Sequence, residues 1–354
     1  MKEPAISKKK TVFPISPKLK NYLNRYGRET NIPLFYDDLL RFTERIKIFD
    51  DSGRDTLWLN CIYSQQDTEE IRDGLTRIYS ILHSDGGESI LPYLSIDSIA
   101  FCTFGNTRPF RIKVRNIKND NYLYLYIKKA DASRIYGLEL EHLLSPNPIN
   151  FLVCGDTLIE EHIMGIPGDV FIQEKLAELN ALEQKALAKE FVKFNERCFT
   201  RLLADMRSYN YVVVVTQDFD RIQYRLRAID FDQQCYEGNM KLYKPQFFKE
   251  NYPLVDLTLK QLPKGSVEQY VKEERSLLAK RASSERKRLT SLIQSMKLDK
   301  LSSTKKTDQL KTSLLALTKD VTFKKSTSMG QILEAALNFI VRNYENENPF
   351  IGSS

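Results

Sequence analysis

Apolar residues along this chain recur at two periods, and the switches between them mark its elements. In DTEEIRDGLTRIYSILHS the residues Ile71, Leu75, Ile78, Ile81 and Leu82 fall every three or four positions, which predicts an amphipathic helix with Asp67 as N-cap and SDGGES as its end. Earlier, the pattern predicts helices in SPKLKNYLNRY and YDDLLRFTERIKIF and a strand in TLWLNCIY after the turn-forming DDSGRD. From about Ile90 the period becomes two: SIDSIAFCTF, PFRIKVRNI and YLYLYIKK read as strands of an antiparallel meander, separated by the turn residues of GNTR and KNDN.

A short helix in ASRIYGLELEHLL follows, then strands in INFLVCGD and TLIEEHI and the punctuation MGIPGD. A long helix through LAELNALEQKALAKEFVKFNERCFTRLLADM carries the stripe Leu182, Ala186, Leu187, Phe191, Phe194, Cys198 and Leu202, which reads as core packing. YNYVVVV and RIQYRLRAIDF form a hairpin across TQDFD, and from about Gln246 the chain reads as helices with a polar joint at KLSSTKKT. The class expected is α+β, in three parts: an α/β extension over 1–90, a small β-rich part over 91–165 and a helical part over 166–354.

Composition narrows the field of functions. With 42% hydrophobic and 28% charged residues in 354, the chain has the balance of a folded globular protein, which excludes wholesale disorder. No apolar run approaches the roughly 20 residues of a membrane span, and MKEPAISKKK leads into no apolar leader core. Five scattered cysteines (Cys61, Cys102, Cys154, Cys198, Cys235) without a CxxC fit a reducing, cytoplasmic setting.

The net charge of +7 is regional: residues 264–325 hold 16 Lys and Arg against 7 Asp and Glu. Such helices can serve as a solvated face or bind nucleic acid or another polyanion, although Tyr270 and Phe323 alone offer rings for base stacking.

Motifs for metalloprotease, α/β-hydrolase or P-loop chemistry are missing, and His83, His142 and His162 stand far apart. One constellation stands out. Asp205 and Asn210 lie five residues apart between a long helix and an apolar strand, and the next strand ends in Asp230-Phe231-Asp232. A carboxylate and an amide from one loop can then face a carboxylate from a neighbouring strand, making an oxygen-donor site suited to magnesium and phosphate. Asp205 is free for a separate task, accepting a proton from a hydroxyl.

Asp205-Met-Arg-Ser-Tyr-Asn210 resembles the catalytic loop D-x-x-x-x-N of the protein-kinase-like superfamily, including its aminoglycoside and choline phosphotransferase branches, and Asp230-Phe231-Asp232 resembles its metal-binding D-F-G. The likeness covers roughly residues 95–240. It implies a bilobal fold, a small antiparallel β lobe and a mainly helical large lobe, behind an N-terminal extension. It also implies an ATP- and Mg²⁺-dependent transfer of phosphate, or of AMP, to a small-molecule or protein substrate. By the same likeness Asp205 is the base, Arg207 holds the transferring phosphate, and Asn210 and Asp230 hold the metal. The glycine of the covering turn is Gly105, the strand lysine is Lys129 or Lys128, its helix partner Glu141 or Glu139, and the hinge spans Glu161 and Ile163. Lys129 is favoured because it shares a strand face with Leu123, Leu125 and Ile127. Leu203 replaces the loop histidine and no A-P-E segment follows, which points away from an ordinary protein kinase and leaves a non-catalytic relative or scaffold as the alternative.

Overall fold

The computed structural model describes residues 10–84, 86–103, 107–218 and 221–346; Gly105 lies outside them. The chain is α+β and divides into two compact units. The first comprises residues 14–131 and 149–162. The second comprises the described residues before 14, the segment 132–148 and everything from 163 on. No described helix is long and apolar enough to cross a membrane.

The first unit contains helix α1 (Pro17–Arg25), strands β1 (Glu44–Phe49) and β2 (Asp55–Ile62), helix α2 (Gln65–Ser84), strands β3 (Leu94–Cys102), β4 (Phe110–Asn116) and β5 (Tyr122–Lys129), and the hairpin β6 (Phe151–Cys154) and β7 (Thr157–Glu161). All seven strands form one antiparallel sheet in the order β1-β2-β3-β4-β5-β7-β6. The N-terminal section is therefore no separate extension, because β1 and β2 continue the meander of β3–β5.

One sheet face carries Ile99, Phe101, Phe110, Ile112, Leu125 and Ile127, and it is closed by Ile71, Leu75 and Ile78 of α2. Burying each such side chain contributes about 1.5–3 kcal/mol, so the face of α2 read from its period is the main tie between helix and sheet.

Two local expectations change. Residues 44–49, expected to be helical, pair with β2 because Ile46 and Ile48 alternate with Arg45 and Lys47 at period two. Those charges also blunt the free edge of the sheet. At α2 the cap is Ser64 rather than Asp67: the Asp67 N–H donates to Ser64 Oγ at 3.2 Å.

The second unit holds α3 (Ala132–Leu144), the short β8 (Ile166–Pro167) and α4 (Gly168–Val170), the long α5 (Ala181–Arg201), and a three-stranded sheet in which β9 (Tyr211–Asp218) lies between β8 and β10 (Arg221–Ala228). It continues with α6 (Tyr252–Gln261), α7 (Lys264–Ser284), α8 (Arg286–Leu298), α9 (Thr304–Thr318) and α10 (Met329–Tyr344). Asn180 and Glu183 form a reciprocal capping box that starts α5, whose apolar side packs on α6, α7, α10 and β10.

The basic helices are built into this unit. Arg288 binds the fully buried Glu139 through both carboxylate oxygens at 2.8–2.9 Å, Arg275 binds Glu196 at 2.6 Å, and Lys297 and Lys306 reach Glu334 and Glu237. A substantial part of the regional charge thus neutralises buried or half-buried carboxylates instead of facing solvent.

Candidate active site

The site begins where α5 stops. Leu202 takes the left-handed conformation (φ 57°), and the Leu203 N–H closes back on the Cys198 carbonyl at 2.9 Å. The chain thereby reverses into a short extended stretch, in which Leu203 bridges to Gln234 and the Cys235 N–H reaches the Leu202 carbonyl. The buried Gln234 side chain donates to the carbonyls of Arg201 and Leu202 at 2.6 and 3.2 Å. The segments bearing Asp205 and Asp230 are therefore stitched together before either carboxylate is reached.

Asp205 also has positive φ (64°), an uncommon setting for a residue with a side chain. Its N–H donates to the Leu242 carbonyl, and its own carbonyl accepts from the Arg207 N–H at 2.8 Å and from Asn210 Nδ2 at 2.7 Å. The loop is thus closed by the side chain of Asn210. Next, the Asn210 carbonyl accepts from the Ile229 N–H at 3.0 Å, and Tyr211 pairs with Ala228 as β9 and β10 begin their ladder. Asn210 and Asp230 consequently leave the same end of one hairpin.

Two close approaches explain glycines. A Cβ on Gly168 would meet the Ser208 carbonyl at 2.4 Å, and one on Gly137 would meet Phe231 Cβ at 2.9 Å. Small residues let α4 and α3 press directly on the two functional segments.

The electrostatics follow from this packing. Burial, and then the negative charge of Asp230, push the Asp205 carboxyl up to about 7, against the opposing Arg207. Arg207 Nε donates to Asp205 Oδ1 at 3.1 Å and Nη1 to Glu250 at 2.6 Å. Asp230 and Asp232 are bridged by the buried Arg134, whose Nη1 lies 3.0 and 2.9 Å from one oxygen of each, while Nη2 donates to the Ile229 carbonyl. The fully buried Asn251 donates from Nδ2 to the carbonyls of Met206 and Pro245 and accepts from the Tyr211 hydroxyl at 2.9 Å, fixing the far side of the loop.

The structure places Asp205, Arg207 and Asn210 in one loop ahead of β9, and Asp230 and Asp232 just after β10, next to where that loop ends. Arg134, Gln234, Glu250 and Asn251 were not anticipated. For Arg134 a signal existed, an arginine inside the apolar run ASRIYGLELEHLL; Asn251 has none, since it reads as one more polar residue before Pro253.

The other expected residues have partners within their own units. Glu141 is fully buried: burial alone would raise its carboxyl, but the charge of Arg201 and hydrogen bonds from Ser145 and Arg201 outweigh burial and hold it low. Lys129 pairs with Asp37 and Asp156 at 2.7 and 2.6 Å. The ground for preferring it disappears, because the face it shares with Leu125 and Ile127 is the covered core of the first unit. Lys128, on the opposite face, is the buried lysine and meets Glu160 at 2.9 Å. The Glu161 and His162 N–H groups are taken by the carbonyls of Asn150 and Tyr124, so neither backbone donor is left for a hinge role; Ile163 is buried.

The two lysines should separate in stability. Lys128→Met takes the cation away from the buried carboxylate of Glu160 and is expected to cost about 2–3 kcal/mol. Lys129→Met breaks exposed pairs worth about 0–1 kcal/mol. Urea unfolding of both variants checks this, and equal losses would contradict the assigned burial.

Among the described residues no group of three or more His, Cys, Asp or Glu is placed to hold a metal ion, so a metal here would need the amide oxygen of Asn210. No protein-family model matches the chain, and no curated protein matches it in sequence.

Proposed function

We propose that this chain is a Mg-ATP-dependent phosphotransferase of kinase-like fold acting on a hydroxyl-bearing substrate. The carrying observation is the convergence of Asp205, Asn210 and Asp230 at one end of the β9–β10 hairpin, with the Asp205 carboxyl lifted to about 7. A carboxyl ionising near neutrality suits a general base, which takes the proton of the acceptor hydroxyl while the γ-phosphoryl group passes to it and ADP leaves. Arg207 is held between Asp205 and Glu250, so its part here is to orient Asp205 and not to carry phosphate.

The donors suit a hard divalent cation. Asn210 commits its Nδ2 to the loop and keeps its amide oxygen, and Asp230 is about one-third exposed. Magnesium held by Asn210 and Asp230 would supply neutralisation of the phosphate charge. Arg134 supports a second reading, nucleotide binding without transfer, since its guanidinium already bridges Asp230 and Asp232.

A thermal-shift titration with ATP, with and without Mg²⁺, tests the site. Stabilisation should reach about 2.7 kcal/mol at a hundredfold excess over Kd, require Mg²⁺, and vanish in Asp230→Asn, which keeps an acceptor for Arg134. Failure of the wild-type protein to respond would remove the assignment. A response without ATP turnover would favour the non-catalytic reading.

A further inference from the structure

Away from Asp205, α5, the segment 241–247, α6 and α7 line a cavity of about 530 Å³, within the roughly 300–1,000 Å³ typical of small-molecule sites. Phe191, Val192, Val255, Val267 and Val271 make its walls, and Leu259 lines it while 77% exposed. The cavity is therefore an apolar concavity with apolar surface left open to solvent, the kind of surface that marks a binding site.

Its polar groups are unbalanced. Glu196, the one carboxylate among the lining residues, is bound by Arg275 at 2.6 Å, and Arg275 also donates to the Tyr344 hydroxyl. Lys241 and Lys244 line the same cavity. Among the described residues neither has a carboxylate within ion-pair distance; their ammonium groups lie 5.5 and 4.3 Å from the ring centres of Phe247 and Phe199. Burial pushes the Lys244 ammonium down from its ordinary value, and the nearby Arg275 adds to this against the opposing pull of Glu196. Three cations thus face one carboxylate across apolar walls. A ligand that satisfies both features carries a negative head and an apolar body. Each lysine offers a point charge that a small anionic head such as a carboxylate can meet without a planar fork.

We propose that this cavity binds an amphipathic carboxylate, its chain lying along Phe191, Val192, Val255 and Val271 and its head between Lys241 and Lys244. The class is that of a free medium-chain fatty acid. The site is independent of Asp205 and of nucleotide.

Calorimetric titration of the full chain with decanoate, decanol and decyltrimethylammonium tests it. Decanoate is expected to bind at one site, decanol at least about tenfold more weakly, and the cationic amphiphile not at all. Lys244→Met should weaken decanoate by about tenfold or more, and Val271→Trp, which fills the cavity, should abolish its binding while melting and the far-ultraviolet spectrum stay those of the parent. No decanoate binding, equal affinity for decanol, or undiminished binding in both variants would overturn the proposal. A Lys244→Met chain that failed to fold would leave Val271→Trp and the three-ligand comparison to decide.

Discussion

Asp205→Asn is expected to lower phosphoryl transfer by about 10²–10⁴-fold while making the protein more stable at pH 8. The two effects have one source. An aspartate in an unfolded chain ionises near the ordinary carboxylate value of about 3.9, whereas here burial and the charge of Asp230 hold its proton until about 7. Between these values the native state binds more protons than the unfolded state, so wild-type stability falls as pH rises through that window and levels off above it. Each pKa unit corresponds to about 1.4 kcal/mol. Asparagine keeps an oxygen for Arg207 but never ionises, so the variant should lose this pH slope. Urea unfolding at pH 5 and pH 8, beside single-turnover assays with ATP, measures both. A variant less stable than the parent at pH 8 would mark Asp205 as a structural residue and remove its role as base.

Arg134→Met is the second large effect, at about 3–5 kcal/mol of lost stability. The guanidinium is buried and holds Asp230, Asp232 and the Ile229 carbonyl together. Without it two neighbouring carboxylates lose the cation that bridges them. Arg134→Lys keeps a charge but cannot span three acceptors with a planar fork, and should recover only part of the loss. The variants also bear on the cation proposed beside Asp230: if Mg²⁺ with ATP restores stability to Arg134→Met more than to the parent, arginine and metal compete for the same oxygens. A loss under about 1 kcal/mol would place Arg134 among ordinary surface pairs.

How far these features could be read from the chain differs by level. Periodicity located α2, the β3–β5 meander, α5 and the β9–β10 hairpin, because each buries one face and the burial requirement is written in the spacing of apolar residues. It failed at residues 44–49, where a sheet edge tolerates exposed Ile46 and Phe49 and the pattern is correspondingly faint. The spacing of Asp205, Asn210 and Asp230 anticipated their meeting, since a hairpin returns the chain to where it left. Their supports were harder to read: Arg134 and Asn251 act across 96 and 45 residues; the apolar run around Arg134 marks it as unusual without naming its partners, and nothing local distinguishes Asn251. The face choice that favoured Lys129 failed for a related reason. An apolar strand face tells that something covers it, not whether the cover is a ligand or, as here, helix α2.

The buried pair between Glu139 and Arg288 spans 149 residues, and this separation dictates an order of events at the ribosome. At about 5–20 residues per second, roughly 7–30 s pass after Glu139 is made before Arg288 is made. For that interval the helix carries two carboxylates destined for the interior, Glu139 and Glu141, beside apolar residues that already favour collapse. Glu141 meets its partner Arg201 only 60 residues on, but Glu139 goes without Arg288 for the whole interval, which favours late docking of the buried side of α3. The sheet unit, whose last strand ends at Glu161, is under no such wait and can close while the helical unit is still being synthesised.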